Sequence, residues 1–281
     1  MSAKIGRGGS RINTTQCALV ACPRSERTDA EVPRSSGMRW VRRLLPPLFL
    51  GLLGLAVVAA GVAWLIQTGR WTPANPSRAA YPVRGIDVSR HQGTIDWNAL
   101  QAAGLDFVYM KATEGGDWTD PKFTRNWREA GAQGLARGAY HFYTFCRPWD
   151  EQLAHALAVL PDEHELPFVV DVEYGGNCEG YESREAIQLG LDRFISAATD
   201  SLGYPPAIYA VHRGFPDFVK GRYMDSPLWL QHVVWEPSAG DGRDWSVWQY
   251  SVRGRLPGIE GPVDLNVFNG DAEAFRSFRV R

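Results

Sequence analysis

The stretch Leu166-Pro167-Phe168-Val169-Val170-Asp171-Val172-Glu173, followed by Tyr174-Gly175-Gly176, decides the reading of this chain. A continuous apolar run that ends at a glycine turn is the pattern of a strand buried on both faces, as in parallel sheets. Side chains i and i+2 leave a strand on the same side, so Asp171 and Glu173 are aimed at one point from its mouth. Two carboxylates at one point shift each other's proton affinity and can divide acid and base work between them. The simpler alternative is a pair of solvated acids at a strand end. It gives no reason for so apolar a run to lead into them.

Outward from this strand, short apolar runs alternate with amphipathic stretches, which is the βα pattern of a parallel sheet or barrel. The strands are expected at 83–88, 107–111, 138–143, 168–173, 207–210, 228–231, 247–250 and 263–268. Helices are expected at 97–103, 121–131, 149–160, 183–201 and 213–219, with Asp96 as an N-cap before Trp97. They thin out after the fifth strand, where the strands also come closer together. The fold expected for residues 83–281 is therefore α/β: an irregular TIM-like (β/α) barrel of eight strands with fewer helices.

In such a barrel the active site gathers at the C-terminal strand ends. The polar residues expected there are Asp87; Lys111 and Glu114; Tyr140, His141 and Tyr143; Asp171 and Glu173; Tyr209; Gln249 and Tyr250; and Asp264 and Asn266. Burying so many polar groups without chemistry costs several kcal/mol unless every one is paired. His141, between Tyr140 and Phe142, reads as a hydrogen-bonded structural histidine. Lys111 reads as a counter-ion to the acids, and no His or Cys stands at metal-ligand spacing. No metal or cofactor is expected.

The N-terminal part has a different character. Residues 44–67 contain no charge and are long enough to cross a bilayer as one transmembrane helix. Residues 1–43 carry nine Lys/Arg against three Asp/Glu, a net of +6, which leaves −7 for residues 67–281 within the total of −1. That asymmetry predicts a cytoplasmic N-terminus, a single-pass membrane anchor, and a barrel that is periplasmic or extracellular. Residues 1–43 read as a disordered basic tail, and 68–82, with three prolines, as a linker. Met38 opens a second short, basic n-region, so residues 1–37 have the alternative reading of a segment that is not translated. The length of the apolar stretch favours a retained anchor over cleavage at Gly61-Val62-Ala63. Cys17 and Cys22 lie in the tail without a partner pattern. Cys146 and Cys178 each follow a strand closely and can pair as a disulfide in an oxidising compartment.

Several motifs together resemble a known family. They are Gly85-Ile86-Asp87-Val88-Ser89-Arg90-His91-Gln92-Gly93 with Ile95-Asp96-Trp97, Lys111-Ala112-Thr113-Glu114-Gly115, Gly138-Ala139-Tyr140-His141-Phe142, and Asp171-Val172-Glu173. Trp248-Gln249-Tyr250-Ser251 and Val263-Asp264-Leu265-Asn266-Val267-Phe268 complete the series. In this order they resemble the family 25 glycoside hydrolases, the Chalaropsis-type lysozymes, here in a membrane-anchored bacterial form. The resemblance implies a muramidase that cleaves the β-1,4 bond between N-acetylmuramic acid and N-acetylglucosamine in peptidoglycan. It casts Glu173 as the general acid, with Asp171, Asp87 and Asp264 completing a catalytic cluster, and it places Tyr140 and Tyr250 at the substrate. Tyr209, Gln249, Trp118 and Trp248 are further expected substrate contacts, Trp118 and Trp248 being the cleft candidates among eleven tryptophans. Two other readings fit the same residues: a non-catalytic glycan-binding barrel, and a glycosidase for another N-acetylated glycan. A net charge of −7 on the outer part argues against nucleic acid as a partner. A monomer is expected, with peptidoglycan strands and the membrane as its partners.

Overall fold

The computed structural model describes residues 37–180, 183–211 and 213–280. Residues 1–36, with Cys17, Cys22 and most of the expected disordered tail, lie outside the described residues. A helix, α1, runs over Gly37–Gln67. Within it Phe49–Gln67 is long and apolar enough to cross a membrane, with a mean hydropathy of 2.4, and Leu50, Leu53 and Val57 are exposed.

The remainder contains the strands β1 (Arg84–Val88), β2 (Phe107–Glu114), β3 (Trp118–Thr119), β4 (Ala136–Phe142), β5 (Val169–Val172), β6 (Ala207–Ala210), β7 (Leu228–Gln231), β8 (Val247–Gly254) and β9 (Val263–Phe268). The helices are α2 (Trp97–Ala102), α3 (Phe123–Ala132), α4 (Trp149–Val159), α5 (Arg184–Leu202) and α6 (Ala272–Phe278). Eight strands close into a barrel because β1 pairs with β2 on one side and with β9 on the other. The two-residue β3 folds back on β2 outside the ring.

All barrel pairings are parallel except those of β9, which runs antiparallel to both β8 and β1. The eight residues between β8 and β9 explain this, since a parallel return needs a dozen or more. The reversal brings the start of β9, rather than its end, to the mouth, and Asp264 there stands opposite Asp87. The helix expected near residues 213–219 is a single π-type turn over Phe215–Val219. Helix α6, which had no counterpart in the sequence reading, is capped by Asp271 accepting from the backbone of Glu273 and Ala274.

The interior below the mouth is filled by Phe107, Tyr109, Val169, Ala207, Trp229 and Val247. Two glycines make room for the larger rings. A Cβ on Gly85 would fall 2.3 Å from the Phe107 ring, and one on Gly138 would fall 2.2 Å from the Tyr109 ring. Each glycine lies two residues before a mouth residue, Asp87 or Tyr140, so the glycine and the functional side chain share one face. On β5 the alternation sends Val170 and Val172 outward onto the helix layer, where Leu191 and Phe194 of α5 lie.

Candidate active site

The mouth of the barrel encloses a cavity of about 80 Å³ lined by Asp87, Tyr140, Asp171, Glu173, Tyr209, Trp229, Gln249 and Asp264. Seven strand positions and the first residue past β5 converge there. All four expected carboxylates meet at this point, together with Tyr140, Tyr209 and Gln249. A larger cavity of about 750 Å³ opens among Pro161, His164 and Tyr204, before the start of β5, but its three acids, Asp162, Glu163 and Glu165, come from one short loop rather than converging from several strands, and Glu165 is paired with Arg137 at 2.6 Å. Convergent acids, rather than volume, mark the site.

Three expected contacts lie elsewhere. Gln249 points inward, so the period of two turns Trp248 and Tyr250 outward. The Trp248 indole donates to the His232 carbonyl at 2.7 Å and packs on Trp245, while Tyr250 lies against the Arg84 guanidinium. Trp118 lines a separate cavity of about 260 Å³, with Arg90 4.8 Å and Lys111 5.4 Å from its ring.

On the β1–β9 side the wiring is complete. Asp87 Oδ2 accepts from Gln249 Nε2 and Asn266 Nδ2, each at 2.8 Å. Both amides are held in orientation. Gln249 Oε1 accepts from the Tyr209 hydroxyl and from Gln231, each at 2.9 Å, and Asn266 Oδ1 accepts from the Trp229 indole at 2.9 Å. Burial holds the pKa of Asp87 above its usual value, although these hydrogen bonds and one from Asp264 oppose the rise. Burial, followed by the Asp87 charge, pushes Asp264 up to about 9, so Asp264 carries the proton the two acids share.

The β5 side differs. Asp171 is buried and its Oδ1 has no partner. Burial and then the Glu173 charge hold its carboxyl well above the usual range. Glu173 is pushed up to about 7, first by burial and then by Asp87, with Lys111 opposing. Lys111 is itself bonded to Glu114 at 2.7 Å, which fits a counter-ion and leaves it poorly placed as a nucleophile. The Glu173 backbone is pinned by Asn177, whose Nδ2 donates to the carbonyls of Glu173 at 3.0 Å and Tyr143 at 2.9 Å. Next to Asn177, Cys178 is disulfide-bonded to Cys146, which ties the segment after β5 to the segment after β4.

His141 is structural. Gln152 Oε1 takes the Thr144 backbone N–H at 2.8 Å and its Nε2 serves two carbonyls, so the His141 Nε2, 3.3 Å away, must donate to Oε1. Its Nδ1 is then free to accept from the Thr113 hydroxyl at 2.8 Å. Burial lowers its pKa to about 3, and the ring is neutral. The sequence reading missed Trp229, Gln231 and Asn177. Trp229 and Gln231 share the inward face of β7, a signal available from alternation alone; Asn177 sits in a turn and gave none.

A closed barrel whose mouth gathers four carboxylates, one of them poised to hold a proton near neutrality, is the arrangement of a glycoside hydrolase. The chain belongs to the glycosyl hydrolases family 25, whose sequence profile matches residues 86–259. It is 35% identical over 206 residues to the Escherichia coli protein YegX, covering 71% of this chain and 74% of that one. To Lysozyme M1 of Streptomyces globisporus it is 34% identical over 206 residues, covering 68% and 69%. The structure of a family 25 glycosyl hydrolase from Bacillus anthracis superposes with a TM-score of 0.68 at 31% identity, covering 75% of this chain and 98% of that one.

Proposed function

We propose that the chain is a muramidase that hydrolyses the β-1,4 bond between N-acetylmuramic acid and N-acetylglucosamine in peptidoglycan. The observation that carries this reading is Glu173, held at about 7 in the four-carboxylate mouth of a family 25 barrel. Its raised pKa lets it deliver a proton to the leaving glycosidic oxygen at neutral pH, as a general acid must.

As the C1–O bond breaks, the sugar ring gains positive charge, and Asp87 lies in the same cavity to stabilise it. Asp264 holds a proton against Asp87 and keeps the pair from carrying two charges. The free Oδ1 of Asp171 accepts the N–H of the substrate acetamido group and turns its carbonyl oxygen toward C1. That oxygen displaces the leaving group, and water, deprotonated by the Glu173 carboxylate, opens the cyclic intermediate with net retention. Tyr140 and Tyr209 line the same cavity as substrate contacts.

Digestion of purified peptidoglycan, with mass spectrometry of the fragments, tests the reading: muramic reducing ends should appear with wild type and vanish with Glu173→Gln. Release from chitin alone would favour the other N-acetylated glycan, and no release by wild type would leave a binding barrel. The product anomer by NMR tests the route, since inversion would exclude acetamido participation.

The apolar helix, the +6 charge before it and the −7 after it support a single-pass anchor with a cytoplasmic N-terminus, residues 68–82 serving as a linker. The Cys146–Cys178 disulfide suits an oxidising compartment beyond that membrane. Tethering raises the effective concentration of the barrel at the wall. Protease accessibility of the barrel in spheroplasts tests this; protection from added protease would place it on the cytoplasmic side.

A further inference from the structure

The carboxylate cavity, at about 80 Å³, is far smaller than the ~300–1,000 Å³ of pockets that enclose a ligand. The rings of a glycan strand away from the cleaved bond must therefore lie along neighbouring surface. A groove of about 560 Å³ begins at Gln231 and is bordered by Pro216, Lys220, Trp235, Glu236 and Ser238. Gln231 belongs to the catalytic network as well, donating to the Tyr209 hydroxyl at 3.1 Å and to Gln249 at 2.9 Å. Groove and cavity are thus joined through one side chain.

Trp235, in the segment after β7, is 66% exposed, the highest value among the large apolar side chains described in the barrel. The residue is nonetheless held in place. Its backbone N–H donates to His232 Nδ1 at 3.2 Å, and the two rings lie 4.7 Å apart. An exposed, pre-oriented indole beside Lys220, Glu236 and Ser238 offers a flat apolar face with polar groups at its rim. A pyranose presents the complement: a C–H face with hydroxyls around its edge. Trp118, in its separate cavity, is unsuited to this role, because Arg90 and Lys111 already lie against its ring.

We infer that this groove is a distal sugar subsite in which Trp235 stacks on a pyranose ring of the glycan strand, away from the cleaved bond. The inference rests on the muramidase reading.

The test compares alternating N-acetylglucosamine–N-acetylmuramic acid tetrasaccharide and octasaccharide as substrates. The ratio of kcat/KM for the octasaccharide to that for the tetrasaccharide should fall about tenfold in Trp235→Ala, through KM, as expected for one lost aromatic contact. Trp235→Tyr should restore most of it. An unchanged ratio in Trp235→Ala overturns the subsite, as does a fall of the same size in Val234→Ala, which trims the neighbouring side chain and spares the ring. If wild type cleaves neither oligomer, the muramidase reading fails. Calorimetry of the octasaccharide with Glu173→Gln, with and without Trp235→Ala, then still decides the groove: a Kd weakened about tenfold supports it and an equal Kd overturns it.

Discussion

On the β1–β9 side of the mouth Asp87 accepts two oriented amides and a proton shared with Asp264, whereas on the β5 side Asp171 keeps a buried oxygen with no partner. Both sides are buried and acidic, yet they meet the cost of burial in opposite ways. Hydrogen bonds to a carboxylate favour its charged form, so the first side holds a negative charge in a fixed place. Burial without such bonds favours the neutral acid, so the second side stores a proton. One cavity thereby carries a fixed anion and a mobile proton, which acid-assisted bond cleavage requires. The anchoring differs as well. Asp87 and Asp264 face each other across paired strands, while Glu173 lies past the end of its strand and relies on Asn177 and the nearby disulfide.

The comparison can be broken at several points. The largest effect is expected from Glu173→Gln, which removes the proton donor and should lower kcat by about 10²–10⁴. Because burial raises the Glu173 pKa on folding from 4.5 to about 7, this carboxyl withdraws stability as pH climbs between those values. At pH 8 the glutamine variant should be more stable by on the order of 3 kcal/mol, seen as a higher Tm in calorimetry. A lower Tm would mean that Glu173 is satisfied as a charge.

Next, Asp87→Asn and Asp171→Asn should diverge. Asparagine at 87 can keep a carbonyl oxygen where Oδ2 accepts from Gln249 and Asn266, but it removes the charge that strengthens both bonds and turns an NH2 toward Asp264, and should cost about 1–3 kcal/mol of stability along with activity. Asparagine at 171 should reduce turnover without loss of Tm at neutral pH. Equal Tm losses in the two variants would erase the distinction between the two sides.

A smaller effect concerns pH. With a general acid at about 7, kcat/KM should fall above pH 7 by about tenfold per unit, and the descending limb should vanish from the residual activity of Glu173→Gln. A limb that survives belongs to another group. The smallest effect is expected from Tyr250→Phe: the ring lies outside the cavity, against Arg84, so activity on peptidoglycan should stay within about twofold. A larger loss would put Tyr250 back at the substrate.

Much of this was legible in the sequence, for identifiable reasons. A barrel strand is an apolar run bounded by turns, and all eight barrel strands were readable that way. The four carboxylates were readable because each lies at a strand end and recurs in a family motif. The direction of β9 was not legible, because the expected strands at 247–250 and 263–268 leave room for a crossover, and only the extension of β8 to Gly254 shortens the connection to eight residues. Tyr250, expected at the substrate from the family resemblance, and Trp248, a cleft candidate among the tryptophans, lie outside the cavity because alternation sends the neighbours of inward-facing Gln249 outward. Trp229 went unnoticed because a tryptophan in a buried strand looks like packing until its N–H is seen to hold Asn266. The unpartnered oxygen of Asp171 has no signature in sequence at all, since it is a property of the space around the residue.

The reversed strand β9 has a consequence for when the protein can act. During synthesis every other strand of the ring precedes it, and Asp264 and Asn266 reach Asp87 only after residue 268 has left the ribosome. Until then the ring is open, with β1 and β8 lacking their shared neighbour. A chain still emerging from the ribosome therefore has no assembled site, and the four-carboxylate mouth forms only when β9 closes the ring.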